Sequence, residues 1–125
     1  MISIVDNDEN IRQALMGLVR SLGYKAATFC SAEEYLRSGR LRDTSCLITD
    51  VQMPGITGIE LQERLARDGH TTKVIVITGL PDEELRRRAL KAGAFGFLRK
   101  PFDEGRLIEY LDRAFGAAGA QPARA

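Results

Sequence analysis

A chain of 125 residues, 44% hydrophobic and 28% charged, has the size and composition of one globular domain. Its 18 basic and 17 acidic residues leave a net charge of +1, which provides no general attraction to nucleic acid or to an anionic membrane. No apolar run approaches the roughly 18 residues of a membrane span. The N-terminal stretch MISIVDNDEN lacks the basic head and long apolar stretch of a signal peptide, so a cytoplasmic location is expected. Cys30 and Cys46 fit no metal-ligand spacing and read as two small buried hydrophobes in a reducing compartment.

Along the chain the hydrophobic period alternates between two and 3.6. Ile2-Ser3-Ile4-Val5 is a short β-rich run. Ile11, Leu15, Leu18 and Leu22 share one helical face, and Gly23 suits the helix end. Ala26 to Phe29 reads as a weak strand near an edge. Ser31-Ala32-Glu33-Glu34 has the pattern of a capping box and opens a short helix. Gly39 to Thr44 is a polar, basic loop. Cys46 to Thr49 reads as a strand buried on both faces.

The second half continues the alternation. Thr57-Gly58-Ile59-Glu60 is another capping box, followed by Leu61 and Leu65 four residues apart. Val74 to Ile77 is the most β-branched run of the chain and suits a central strand. Pro81-Asp82-Glu83-Glu84 starts a helix with acid at its positive end, and that helix stops near Gly93. Phe95 to Leu98 is a short strand. Phe102, Asp103 and Leu107 have the spacing of a hydrophobic staple around an N-cap, and the last helix runs to about Phe115. The expected division is a domain over residues 1–116 and a flexible tail or linker over 117–125.

Five βα units of this length predict an α/β fold. Its parallel sheet has helices on both faces, right-handed crossovers and the flavodoxin-like strand order 2-1-3-4-5. In such a sheet the ligand crevice lies beyond the carboxyl ends of the strands, where the order reverses. The first strand ends in Asp6, followed by Asn7 and Asp8, and the third ends in Asp50. Thr78 and Gly79 end the fourth, and Lys100 and Pro101 follow the fifth. Asp8 has a simpler role available, as the N-cap of the first helix. Asp50 does not, because the next helix starts about seven residues later.

Several oxygen donors in one crevice suit a hard cation, and Mg²⁺ is commonly held by one or two carboxylates together with a phosphoryl oxygen. A carboxylate is also a competent nucleophile toward phosphorus. Transfer requires neutralised charge on the equatorial oxygens. A cation, the Lys100 ammonium and the Thr78 hydroxyl would meet that requirement.

The motifs IVDND, ITDVQMPGITG, VIVITG and KAGAFGFLRKPF resemble the receiver domain of two-component response regulators, the CheY-like family. The resemblance covers about residues 2–115, and DVQMPGITG with KAGA…KPF is most similar to the FixJ-type subgroup. It implies that Asp50 is the phosphoacceptor and that Mg²⁺ is held by Asp6, Asn7, Asp50 and the backbone carbonyl of Gln52. It makes Thr78 the switch hydroxyl, Phe97 the switch aromatic, and Lys100 the phosphate-contacting lysine ahead of a cis Pro101. The implied partners are a sensor histidine kinase and an output domain or downstream protein. The latter docks on the fourth helix, fifth strand and fifth helix, with homodimerisation on phosphorylation as a further possibility.

Asn7 departs from the family, which has a second carboxylate there. An amide oxygen ligates without charge, and Asp8 is the nearest group able to compensate. The departure opens an alternative, a degenerate receiver acting as a phosphorylation-independent interaction module. An Asp-nucleophile phosphatase would carry a second Asp two residues after the nucleophile, where this chain has Gln52. His70 lies in a polar loop and reads as solvated, and Arg86 to Arg88 form a basic run on the fourth helix. No DNA-binding module lies within these residues.

Overall fold

The computed structural model describes residues 1–79 and 82–116. Five strands form one parallel sheet: β1 (Ile2–Val5), β2 (Ala26–Phe29), β3 (Cys46–Asp50), β4 (Lys73–Thr78) and β5 (Gly96–Arg99). The helices between and after them are α1 (Glu9–Ser21), α2 (Ala32–Arg37), α3 (Gly58–Arg67), α4 (Glu83–Lys91) and α5 (Glu104–Ala114). The strand order is β2-β1-β3-β4-β5, as the alternation predicts, with the weak run Ala26–Phe29 at an edge. Pro81 and the tail 117–125 lie outside the described residues.

Period-two alternation divides the core. Ile2, Ile4, Cys46, Ile48, Ile75, Ile77 and Leu98 pack with Leu15 and Val19 of α1 and Leu107 and Leu111 of α5. Val5, Leu47, Val74 and Val76 face the other way, against Tyr35, Ile59, Leu61, Leu65 and Ala89 of α2, α3 and α4. Each fully buried aliphatic side chain contributes about 1.5–3 kcal/mol through removal from water. The central strands are therefore largely apolar on both sides, with Ser3 and Thr49 as buried hydroxyls and charged groups only at the strand ends.

Local signals set most of the boundaries. Asp8 caps α1 by accepting from Asn10 N–H at 2.8 Å and Ile11 N–H at 3.4 Å. Thr57 and Glu60 form the complete reciprocal box at the start of α3. At α2 the reciprocity is broken. Ser31 Oγ accepts from Glu34 N–H at 3.0 Å, but the Glu34 carboxylate takes the N–H of Cys30 instead of that of Ser31. Asp82 caps α4, and Asp103 caps α5 with Phe102 and Leu107 in one apolar cluster.

Two expectations are corrected. Cys30 is exposed, its thiol 3.5 Å from Glu34 Oε2, because it follows an edge strand at the rim of the sheet; only Cys46 is buried. β5 runs one residue later than its hydrophobicity suggests, because Phe95 N–H bonds to Val74 O before the ladder with β4 begins at Gly96. β3 extends one residue past Thr49, so the strand does end in Asp50, which pairs with Ile77 and is 5% exposed.

Candidate functional site at the carboxyl end of the sheet

Asp6 directly follows Val5, and Asp50 closes β3 beside it. Both carry the even-numbered parity of the face covered by α1 and α5, continuing the rows Ile2–Ile4 and Cys46–Ile48. Strand alternation thus aims the two carboxylates to one side. Asp6 is 1% exposed and Asp50 5%. Lys100, just after β5, joins them: its Nζ lies 3.0 Å from Asp6 Oδ2 and 3.3 Å from Asp50 Oδ2. The Lys100–Pro101 bond is cis. Lys100 N–H donates to Thr78 O at 2.7 Å, tying this segment to the end of β4.

Two carboxylates share one ammonium, and the imbalance is visible in the proton affinity of Asp50. Burial pushes the Asp50 carboxyl above its ordinary range and Asp6 adds to the rise, while Lys100 works in the opposite direction. Burial disfavours the Lys100 ammonium, but its contacts with Asp6 and Asp50 outweigh that and raise its pKa. The geometry keeps a buried carboxylate next to a positive charge in a largely dry corner.

Thr78 is fully buried at the end of β4, one position beyond the residue paired with Asp50. It continues the row Val74–Val76, facing α3 and α4. Phe97 pairs with Val76 and packs half-buried on the same side. The carboxylate group and the Thr78–Phe97 pair therefore share one end of the sheet but have opposite parity.

Asn7 and Gln52 are exposed. Asp8 is committed to the α1 cap, and its own N–H donates to Asp6 Oδ1 at 2.8 Å. Among the described residues no group of three or more His, Cys, Asp or Glu side chains is assembled to hold a metal. The implied set has two carboxylates, one amide and one backbone carbonyl. These are all hard oxygen donors, with the two charged ones adjacent, and that chemistry fits Mg²⁺ completed by water.

Four supporting residues were not singled out by their sequence pattern. Arg12 Nη1 donates to Asp6 O at 2.7 Å. Thr49 Oγ1 donates to Asp50 O at 3.0 Å. Gly58 packs its backbone onto the Asp50 carbonyl so closely that a Cβ would collide with it, and its N–H closes the loop onto Val51 O at 3.0 Å. Glu33 reaches the same loop from α2. Of these only Gly58 left a trace, as the second glycine of PGITG. A groove lined by Val51, Gln52, Met53, Pro54, Asp82 and Leu85 opens beside the site.

The model of the response regulator receiver domain matches residues 2–112. Transcriptional regulatory protein FixJ of Azorhizobium caulinodans is 38% identical over 120 residues, covering 96% of this chain and 57% of FixJ. Response regulator protein TodT of Pseudomonas putida is 36% identical over 125 residues, covering the whole of this chain and 55% of TodT. The chain thus spans a little over half the length of these relatives. Among solved structures, the response regulator StyR superposes with a TM-score of 0.85 at 36% identity, covering 97% of this chain and 61% of StyR. FixJ-N superposes with a TM-score of 0.80 at 35% identity, covering 90% of both. No described helix is long and apolar enough to cross a membrane. The chain belongs to the response regulator receiver domains, signalling domains of two-component systems in which aspartyl phosphorylation and Mg²⁺ are standard.

Proposed function

We propose that Asp50 accepts a phosphoryl group from a partner sensor histidine kinase and that the resulting charge switches a protein-docking face. The observation that carries this reading is the Lys100 ammonium held within 3.3 Å of a buried strand-end carboxylate. An Asp50 carboxylate oxygen attacks phosphorus in line with the leaving group. The new O–P bond forms as the N–P bond to the donor imidazole breaks, and the imidazole takes up a proton. Lys100 turns toward the phosphoryl oxygens and screens their charge, and the Thr78 hydroxyl donates to one of them. Asp6, Asp50, the Gln52 carbonyl and Asn7 would hold Mg²⁺, which would supply further neutralisation of charge at this corner. Any catalysis by the domain is limited to its own phosphorylation and dephosphorylation.

Phosphorylation adds about −1.5 to −2 charges at this corner. Thr78 and Phe97 lie on the α4 side of the sheet, so movement of Thr78 toward the phosphoryl group frees space for Phe97. Phe97 also lines a surface groove with Leu90, Arg86, Arg99, Arg106 and Tyr110, across α4, β5 and α5. Leu90, at 45% exposure, is the large apolar side chain left open there. This face is the proposed dock for an output domain, a downstream protein or a second phosphorylated copy, in the cytoplasm.

Intact-mass measurement after incubation with a small acyl phosphate and Mg²⁺ tests the reading. One phosphoryl adduct is expected, absent in Asp50→Asn. An adduct that persists in Asp50→Asn overturns the assignment. No adduct in the wild-type protein leaves the phosphorylation-independent interaction module in its place.

A further inference from the structure

Glu33 stands in the first turn of α2. Its Oε2 accepts from Ile56 N–H at 3.1 Å, across 23 residues of sequence. Its Oε1 is buried with no hydrogen-bond partner among the described residues. The same carboxylate occupies the space where a side chain on Gly55 would project, and Gly55 has a φ of 79°. Conformation and room both require glycine at that point. The loop between β3 and α3 is therefore pinned at its apex by a carboxylate from another element.

Gly58 and the Thr57–Glu60 box fix the far end of this loop, and Asp50 fixes its start. Gln52 lies between Asp50 and the apex. The helix dipole explains an acid in the first turn of α2. It does not explain contact with Ile56, and the neighbouring Glu34 already serves that helix end.

We propose that Glu33 is a positioning residue for phosphoryl transfer: by clamping Gly55 and Ile56 it holds the Gln52 carbonyl and the Asp50 carboxylate in metal- and phosphate-accepting geometry. The inference rests on Asp50 being the phosphoacceptor. Partners one step removed from a metal typically change its affinity or the activity by about tenfold or more when deleted.

The test compares wild type, Glu33→Ala and Glu33→Gln. In Glu33→Ala the Mg²⁺ concentration for half-maximal phosphorylation by a small acyl phosphate should rise about tenfold. Amide hydrogen exchange at Ile56 and Gln52 in metal-free protein should accelerate with it. Glu33→Gln, whose amide oxygen can still accept from Ile56, should recover most of both. If Glu33→Ala does not fold, Glu33→Asp, one methylene shorter with the charge kept, makes the same comparison. A fall in melting temperature with unchanged Mg²⁺ midpoint and unchanged exchange at Gln52 overturns the proposal. If the wild type itself forms no adduct, the phosphoacceptor reading fails, and exchange at Ile56 and Gln52 still decides whether the clamp holds the loop.

Discussion

The two ends of the sheet bury polar groups in opposite ways. At the amino end Ser3 Oγ and Thr44 Oγ1 bond at 2.7 Å, and Thr44 Oγ1 also reaches Arg40 O at 2.7 Å. Cys46, in the same end, is fully buried, and burial pushes its thiol up to about 12. These buried groups are uncharged and the two hydroxyls are paired, so burying them costs little. At the carboxyl end Asp6 and Asp50 are as deeply buried, yet two negative charges face one positive charge. A structure selected for stability alone has no reason to keep that excess charge. The difference separates packing from function without reference to any relative.

Removing the shared cation should give the largest effect. Lys100→Met leaves two buried carboxylates without their counter-charge. Breaking a buried pair costs about 3–5 kcal/mol, and the partial exposure of Lys100 reduces this to about 2–4 kcal/mol. Urea unfolding of metal-free protein measures it, and a loss below about 1 kcal/mol would mean the charges relax into solvent.

Asp50→Asn should move stability the other way, by about 1–2 kcal/mol. The Asp50 pKa is raised in the folded state, so folding favours the protonated form. The resulting penalty is fully present above the folded pKa and disappears as pH falls toward the ordinary value of 3.8. The advantage of the variant should therefore be full at neutral pH and shrink as the buffer is acidified. A destabilised Asp50→Asn at pH 7 would show that the Lys100 contact outweighs the repulsion and would erase the contrast between the two ends.

At the amino end the matching change has the opposite sign. Thr44→Val keeps the shape but leaves the Ser3 hydroxyl buried without its partner, at a cost of about 1 kcal/mol. Thermal unfolding reads it at about 3–5 °C for a domain of this size. A gain in stability would mean that the Ser3–Thr44 pair is not a net stabilising contact.

How much of this was legible follows from the range of each interaction. The alternation of strand and helix, the caps at Asp8 and Thr57, and the polar residues at the strand ends are local or periodic, and they yielded the element order and the strand order. The convergence of Asp6 and Asp50 followed from sheet topology. Contacts that close over long sequence separations left no trace: Glu33 to Ile56 depends on how α2 sits beside the loop after β3. Cys30 is exposed despite its hydrophobic character, because residue type alone cannot tell a rim position from a core one. The box at Ser31 has the right residues, but the Glu34 carboxylate accepts from Cys30 N–H.

Asn7→Asp should have the smallest effect, and it sharpens the boundary of the charged corner. The family resemblance puts this residue in the metal set, where a close carboxylate at an effective dielectric near 20 would interact by roughly 4 kcal/mol. In the structure Asn7 is exposed. A charge in water at similar range interacts by only about 1 kcal/mol. At about 1.4 kcal/mol per decade, the Mg²⁺ affinity should rise by less than about tenfold. Asp8 uses its Oδ1 to cap α1, which leaves Oδ2 as its oxygen for a cation. Repulsion from Asp6 and Asp50 is screened in the same way, so the metal-free variant should lose no more than a few tenths of a kcal/mol. Saturating Mg²⁺ should recover that loss through linkage. Calorimetric titration of Mg²⁺ into both proteins decides the matter. A gain well above tenfold would mean that residue 7 turns into the crevice when the cation binds, extending the charged corner out to the surface. An unchanged affinity would confine that corner to Asp6, Asp50 and Lys100.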